Sequence, residues 1–254
     1  MTRRLRLPWL TPDPLAPFPP TWSALADPNG LLAAGGDLHP ERLLNAYRRG
    51  IFPWYGEGEP ILWWCPGPRA VFDTAAHRPS SRFLRSLRSS GWTITADTDF
   101  DAVIGHCATT PRPGQDGTWI VEEMRHAYGL LHRLGHAHSI EVRAGDALIG
   151  GLYGLAIGRM FYGESMFSLR SGGSKAALAA LALRLCEWEF PLIDCQVENP
   201  HLRSLGARLM PLTGFLAEVR RLTALPGRPG SWAAAFGRLD ADALVSAIRS
   251  RPAH

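Results

Sequence analysis

The sequence predicts an α+β protein: a small N-terminal α/β domain over residues 1–68, a larger domain over 69–225, and a linker with a C-terminal helix over 226–254. Three observations predict it. One helix and many prolines and tryptophans fill the first part; three successive runs of strand character, β-β-β, follow several helical segments; and an Ala/Leu-rich helix then leads to one buried strand. With 254 residues, 46% hydrophobic and 20% charged, the chain can bury a substantial core, which excludes intrinsic disorder.

Taken in order, the first 30 residues are proline-rich and predicted extended and irregular. Residues 40–50 read as a helix, with Pro40 in its first turn, Leu43, Leu44 and Tyr47 as an apolar stripe, and Gly50 as its stop. The loop-rich stretch 51–72 carries Trp54, Trp63 and Trp64, and the domain boundary is placed near Gly67 and Pro68. Residues 80–89 form a serine-capped helix that sets Arg82, Arg85 and Arg88 along one face, either a solvated surface or a phosphate contact. A strand at 93–96 and helices at 99–108 and 119–134 follow, the last closed by Gly135. Strands at 139–143, 147–157 and 160–167 are joined by turns at 144–146 and 158–159. A helix over 174–187, a strand over 191–197, a linker at 226–230 and a helix over 240–250 complete the chain.

No run of about 18 apolar residues occurs, so no membrane helix is expected. Met1 to Arg6 are basic, but Pro8, Pro12, Asp13 and Pro14 interrupt any signal-peptide core, and a cytoplasmic protein is the expectation. Cys65, Cys107, Cys186 and Cys195 make no C-x-x-C pair, which suits free thiols in a reducing compartment. The net charge is +4; residues 69–254 carry the surplus, 21 basic against 17 acidic, and Lys175 is the one lysine. That balance is compatible with nucleic acid and does not prove it.

The chemical signal is a set of polar groups inside apolar strands. Glu164 lies within Met160 to Phe167; Asp194 and Gln196 lie within Leu192 to Val197, where alternation puts both on one face. Buried carboxylates require a partner. Either Asp194 pairs with an arginine and Glu164 caps a strand end, or the group forms an acidic pocket for a cation or a reacting amine, with the Gln196 carbonyl accepting one of its hydrogens. Arg170 to Lys175, a glycine-containing turn before a helix, suits a phosphate but lacks the Walker spacing, and Ser174 can simply cap the helix. His132, His136 and His138 lack the further ligands of a zinc set. Trp54 and Trp119, beside glycines and prolines, can stack on a base or pack structurally.

Several ordered stretches together resemble the bacterial leucyl/phenylalanyl-tRNA–protein transferases. They are Asn29 to Leu32 with Gly35 to Leu38, Gly50 to Trp54, Pro60 to Trp64, Gly117 to Ile120, Leu134 to Val142, Gly163 to Ser168 and Leu192 to Gln196. The resemblance covers roughly residues 28–215. It implies a C-terminal domain of the acyl-CoA N-acyltransferase type, and transfer of Leu or Phe from aminoacyl-tRNA to a protein with N-terminal Arg or Lys, marking it for N-degron degradation. It implies no cofactor: no metal, no ATP and no coenzyme A, because the ester is already activated. The chain is expected to act as a monomer. Carried over by resemblance, Glu164, Asp194 and Gln196 are the polar catalytic positions; Trp54, Trp119 and Phe161 surround the aminoacyl-adenosine; Leu152, Met166 and Ile193 line the side-chain pocket. A further aromatic position of the family falls at Leu181, and the tail beyond Pro226 departs from the family pattern. Arg82, Arg85 and Arg88 are assigned to tRNA phosphates. A coenzyme A-dependent N-acetyltransferase and a non-catalytic RNA-binding module are the rival readings.

Overall fold

A computed structural model describes residues 7–111 and 120–251. Strands β1 (Trp9–Leu10) and β2 (Leu31–Gly35), helix α1 (Pro40–Tyr47), and strands β3 (Phe52–Pro53) and β4 (Leu62–Trp64) come first. Their sheet runs β1-β2-β4-β3, with β1 parallel to β2 and the other pairs antiparallel. Pro40 opens α1, where a missing N–H costs nothing, and the His39 side chain accepts from the Glu41 N–H.

The chain enters a second sheet at β5 (Arg69–Asp73), followed by α2 (Ser81–Arg88), β6 (Thr93–Ala96), α3 (Phe100–Thr109) and α4 (Glu122–Arg133). The centre is β7 (Ala137–Ala144), β8 (Ala147–Ile157), β9 (Met160–Ser168), α5 (Gly173–Glu187) and β10 (Leu192–Asp194). Then come α6 (Pro200–Ser204), β11 (Arg208–Met210), α7 (Leu212–Thr223), α8 (Ala233–Phe236), β12 (Leu239–Asp240) and α9 (Ala241–Ser250). The strand order is β11-β5-β10-β9-β8-β7-β6-β12. Strands β7, β8 and β9 form an antiparallel meander, and β10 returns parallel to β9 after α5. This is the predicted β-β-β-α-β order on an α+β frame.

The large sheet separates two apolar clusters. One joins Tyr47, Phe52 and Trp63 of the N-terminal part to Tyr128, Tyr162 and Phe215, so both sheets share a continuous core. The other gathers Leu84, Ile140, Phe161, Ile193 and Leu244 around α5, whose alanines and leucines are buried on almost every side. A helix apolar all round is one with neighbours all round.

Strands β1 to β5, and α6, β11 and α7, fall where the sequence predicts no regular element, and two further differences concern the end of β10 and the tail. The strand predicted over 191–197 stops at Asp194, because the Asp194 carboxylate accepts the Gln196 N–H at 2.8 Å and turns the chain. Beyond Pro226 the chain adds α8 and edge strand β12 to the expected linker and helix. Trp232 anchors this tail: its ring stacks on His138 at 3.7 Å, and its main-chain N–H donates to Asp97, which also binds His138 at 2.9 Å. His132 instead stacks on Phe100 and its Nδ1 meets the Ala137 carbonyl. His132 and His138 are thus held by ring stacking and hydrogen bonds, and no group of three or more metal-ligating side chains stands together among the described residues. Nor is any described helix long and apolar enough to cross a membrane.

Candidate active site

Strands β9 and β10 are paired only from Met160 to Tyr162, opposite Leu192 to Asp194, while β9 runs on to Ser168. The strands therefore part at the positions that carry Glu164 and Gln196. On the other edge of β9, pairing with β8 jumps from Tyr153↔Ser165 to Gly154↔Gly163, so Glu164 is the extra residue of a β-bulge. Gly154 makes the bulge possible: a Cβ there would collide with the Tyr162 carbonyl. Strict alternation would put Glu164 and Met166 on one face. The bulge sends Glu164 to Tyr47 and Tyr128 in one cluster and Met166 to the other.

Glu164 is 9% exposed. Its Oε1 accepts from the Tyr47 hydroxyl at 2.7 Å and from Gln196 Nε2 at 3.1 Å; its Oε2 accepts from the Tyr128 hydroxyl at 3.2 Å. Burial raises its pKa to about 7, with the Tyr47, Tyr128 and Gln196 hydrogen bonds working against that rise. Burial first, and the Glu164 charge second, push both tyrosines well above their ordinary value, so both keep their protons. Gln196 sits at φ 62, a left-handed conformation that costs a non-glycine residue about 1 kcal/mol or more. That conformation brings its amide to Glu164.

Asp194 lies behind. It is fully buried and held in a bidentate pair, Arg69 Nε to Oδ1 at 2.9 Å and Nη2 to Oδ2 at 2.8 Å. Arg69, equally buried, lies over the rings of Phe52 and Phe215 at 4.9 and 4.5 Å. Asp194 thus holds the Gln196 main chain and neutralises Arg69, and it touches neither cleft nor solvent.

The other expected positions fall elsewhere. Trp54 is 42% exposed and lines a broad groove of about 2050 Å³ with Tyr55, Trp64 and Leu130. Leu152, Phe161 and Ile193 are buried in the second cluster, Met166 lies half-buried at its edge, and Leu181 packs there from α5. Trp119 lies outside the described residues. Arg82, Arg85 and Arg88 are exposed along α2, capped by Ser80. A cavity of about 440 Å³ brings Arg82 to Ser171, Gly172 and Lys175, joining two stretches that are far apart in the sequence. Sequence reasoning missed Tyr47, Tyr128 and Arg69 as site residues. The only signal was a tyrosine on an apolar helix stripe, whose hydroxyl must find a partner once buried.

Two family models match in succession: the leucyl/phenylalanyl-tRNA protein transferase N-terminal domain over residues 36–67 and leucyl/phenylalanyl-tRNA protein transferase over residues 71–220. The chain belongs to the leucyl/phenylalanyl-tRNA–protein transferases. A family relative from Xanthomonas euvesicatoria pv. vesicatoria is 65% identical over 90% of this chain and 92% of its own. One from Xanthomonas axonopodis pv. citri is 60% identical over 94% of this chain and 96% of its own, and one from Xylella fastidiosa is 59% identical over 90% and 94%. As a member of this family the chain is an enzyme, an aminoacyl-tRNA–protein transferase, and the parted strands are its candidate reaction centre.

Proposed function

We propose that this transferase moves Leu or Phe from aminoacyl-tRNA to the N-terminal Arg or Lys of acceptor proteins in the cytoplasm, as a monomer, and that the product is marked for N-degron degradation. The observation that carries the mechanism is the Gln196 side chain. Its NH2 group donates to Glu164, so its carbonyl oxygen points the other way, free to accept from an amine.

The acceptor's α-amine must be neutral and must lie against the ester carbonyl. Gln196 orients it by accepting one N–H. The C–N bond forms, the ester C–O bond breaks, and the amine proton ends on the departing ribose oxygen, directly or through water. Glu164 fixes the Gln196 amide and helps hold the cationic acceptor or the terminal ribose. Asp194 is a positioning residue that acts through the Gln196 main chain and Arg69. Trp54 and Trp119 stack on the terminal adenosine; Leu152, Met166 and Ile193, backed by the buried Phe161 of the same cluster, form the apolar wall for the transferred side chain, reached where β9 and β10 part. The ester is activated already, so the proposal includes no metal, ATP or coenzyme A.

The test is transfer of labelled leucine from leucyl-tRNA, without ATP or coenzyme A, to two acceptors that differ only in N-terminal Arg or Ala. Transfer to the Arg acceptor alone is expected; equal transfer to both contradicts the acceptor assignment. Run at increasing salt, the variant with Arg82, Arg85 and Arg88 all replaced by Ala should bind tRNA with a flatter salt dependence, its slope smaller by up to about 0.7–0.9 for each phosphate that the protein no longer neutralises. An unchanged slope removes this stripe from the interface.

A further inference from the structure

Around Glu164, three side chains converge from three elements: Tyr47 from α1, Tyr128 from α4, and Glu164 itself from the bulge in β9. Both hydroxyls are buried, and phenylalanine would fill the same apolar space without needing hydrogen-bond partners. The two hydroxyls and the carboxyl close a ring of three contacts: Tyr47 to Tyr128 at 2.5 Å, Tyr47 to Glu164 Oε1 at 2.7 Å, and Tyr128 to Glu164 Oε2 at 3.2 Å. Each side needs one hydrogen. The hydroxyls supply two, and the third is a proton on Glu164. An ionised Glu164 accepts from both hydroxyls, and these two hydrogen bonds lower its pKa; a protonated one supplies the hydrogen of the third side. Tyr47 is held in turn, because its own carbonyl accepts from the Tyr162 hydroxyl at 2.7 Å.

We infer that Tyr47 and Tyr128 are positioning residues of the transfer reaction: they bind Glu164 in a hydrogen-bonded ring that shares one exchangeable proton and leaves Oε1 aimed at the Gln196 amide, so that the Gln196 carbonyl faces the reacting amine. This rests on the proposed transfer mechanism and adds to it a role for the N-terminal part of the chain, which contributes Tyr47. The groups facing the ring are Asp194 and Gln196 from the end of β10, Arg69 of β5 behind Asp194, Tyr153 of β8 beside Tyr128, and Tyr162 on β9 itself. Of the charged ones, Asp194 raises the Glu164 pKa, and Arg69 is engaged by Asp194.

The experiment uses the full chain as wild type, Tyr47→Phe, Tyr128→Phe and Glu164→Gln. Carboxyl-carbon NMR of 13C-glutamate-labelled protein follows Glu164 from pH 5.5 to 9, with the signal assigned by its absence in Glu164→Gln. Transfer to the Arg acceptor is measured over the same range. Losing a hydroxyl that donates to the carboxylate should move the Glu164 titration upward by about one pH unit in each Phe variant. The kcat should fall about tenfold with KM for aminoacyl-tRNA within about twofold. In a Glu164→Gln background, Tyr128→Phe should add little further loss, since the pair acts as one unit. An unmoved Glu164 titration in both Phe variants, or full additivity with Glu164→Gln, overturns the inference. Absence of transfer by the wild type overturns the proposed function itself, and that failure is visible before any variant is made.

Discussion

Asp194→Ala should lower the unfolding free energy by about 3–5 kcal/mol, because it leaves the Arg69 guanidinium buried without its counter-charge. That is a large part of the roughly 5–15 kcal/mol that holds a domain folded. Transfer should be lost with it, since the Gln196 N–H also loses its acceptor and the left-handed turn its tether. Urea denaturation measures the first effect. Two further variants separate charge from shape. Asp194→Asn keeps an acceptor for Gln196 and should fall between alanine and wild type. Adding Arg69→Met to Asp194→Ala should recover much of the lost stability, because removing both charges leaves no unpaired ion. Stability of Asp194→Ala within about 1 kcal/mol of wild type would show that the pair is not what holds this end of β10.

Glu164→Gln carries the second large effect, and its sign depends on pH. Burial raises the Glu164 pKa from 4.5 to about 7, so the fold accommodates the protonated carboxyl and resists the ionised one. The stability linked to this group is complete below pH 4.5 and is lost as pH rises through about 7. Glutamine has no such titration. The difference in unfolding free energy should therefore move in favour of Glu164→Gln by about 2–3 kcal/mol between pH 5 and pH 8. Denaturation at the two pH values checks it. A constant difference would mean that Glu164 titrates in the folded protein as it does in the unfolded chain. Activity should respond in the opposite sense, because an amide cannot accept from Tyr47, Tyr128 and Gln196 together as a carboxylate does.

Much of the frame is legible because its signals are local. Ser80 before α2, Pro40 at the head of α1 and the turn at 158–159 each act within one turn of chain, and the strand at 93–96 has the bounds that its sequence predicts. The acidic positions are legible too, since carboxylates in apolar strands demand an account. Their partners are not. Arg69 meets Asp194 across 125 residues and Tyr47 meets Glu164 across 117, distances at which no periodicity or spacing carries information. Of the two readings open for Asp194, the arginine pair describes its contacts; Glu164 is not a strand cap but a bulged residue held by two tyrosine hydroxyls. The bulge itself is hidden for a physical reason: alternation counts two residues per repeat, and one inserted residue moves every later side chain to the other face. The tail is half legible. Its last helix has an apolar stripe, whereas the hold of Trp232 on His138 and Asp97 is again a long-range contact.

Gln196 is the group on which the proposed mechanism turns, since that proposal has it meet the amine, and single-turnover transfer by Gln196→Ala tests this most directly. Leucyl-tRNA and the Arg acceptor would be saturating, with tRNA binding measured alongside. The expected rate is lower by about a hundredfold or more at unchanged tRNA affinity. A rate close to wild type would contradict this role, as would a loss of rate fully matched by loss of tRNA binding.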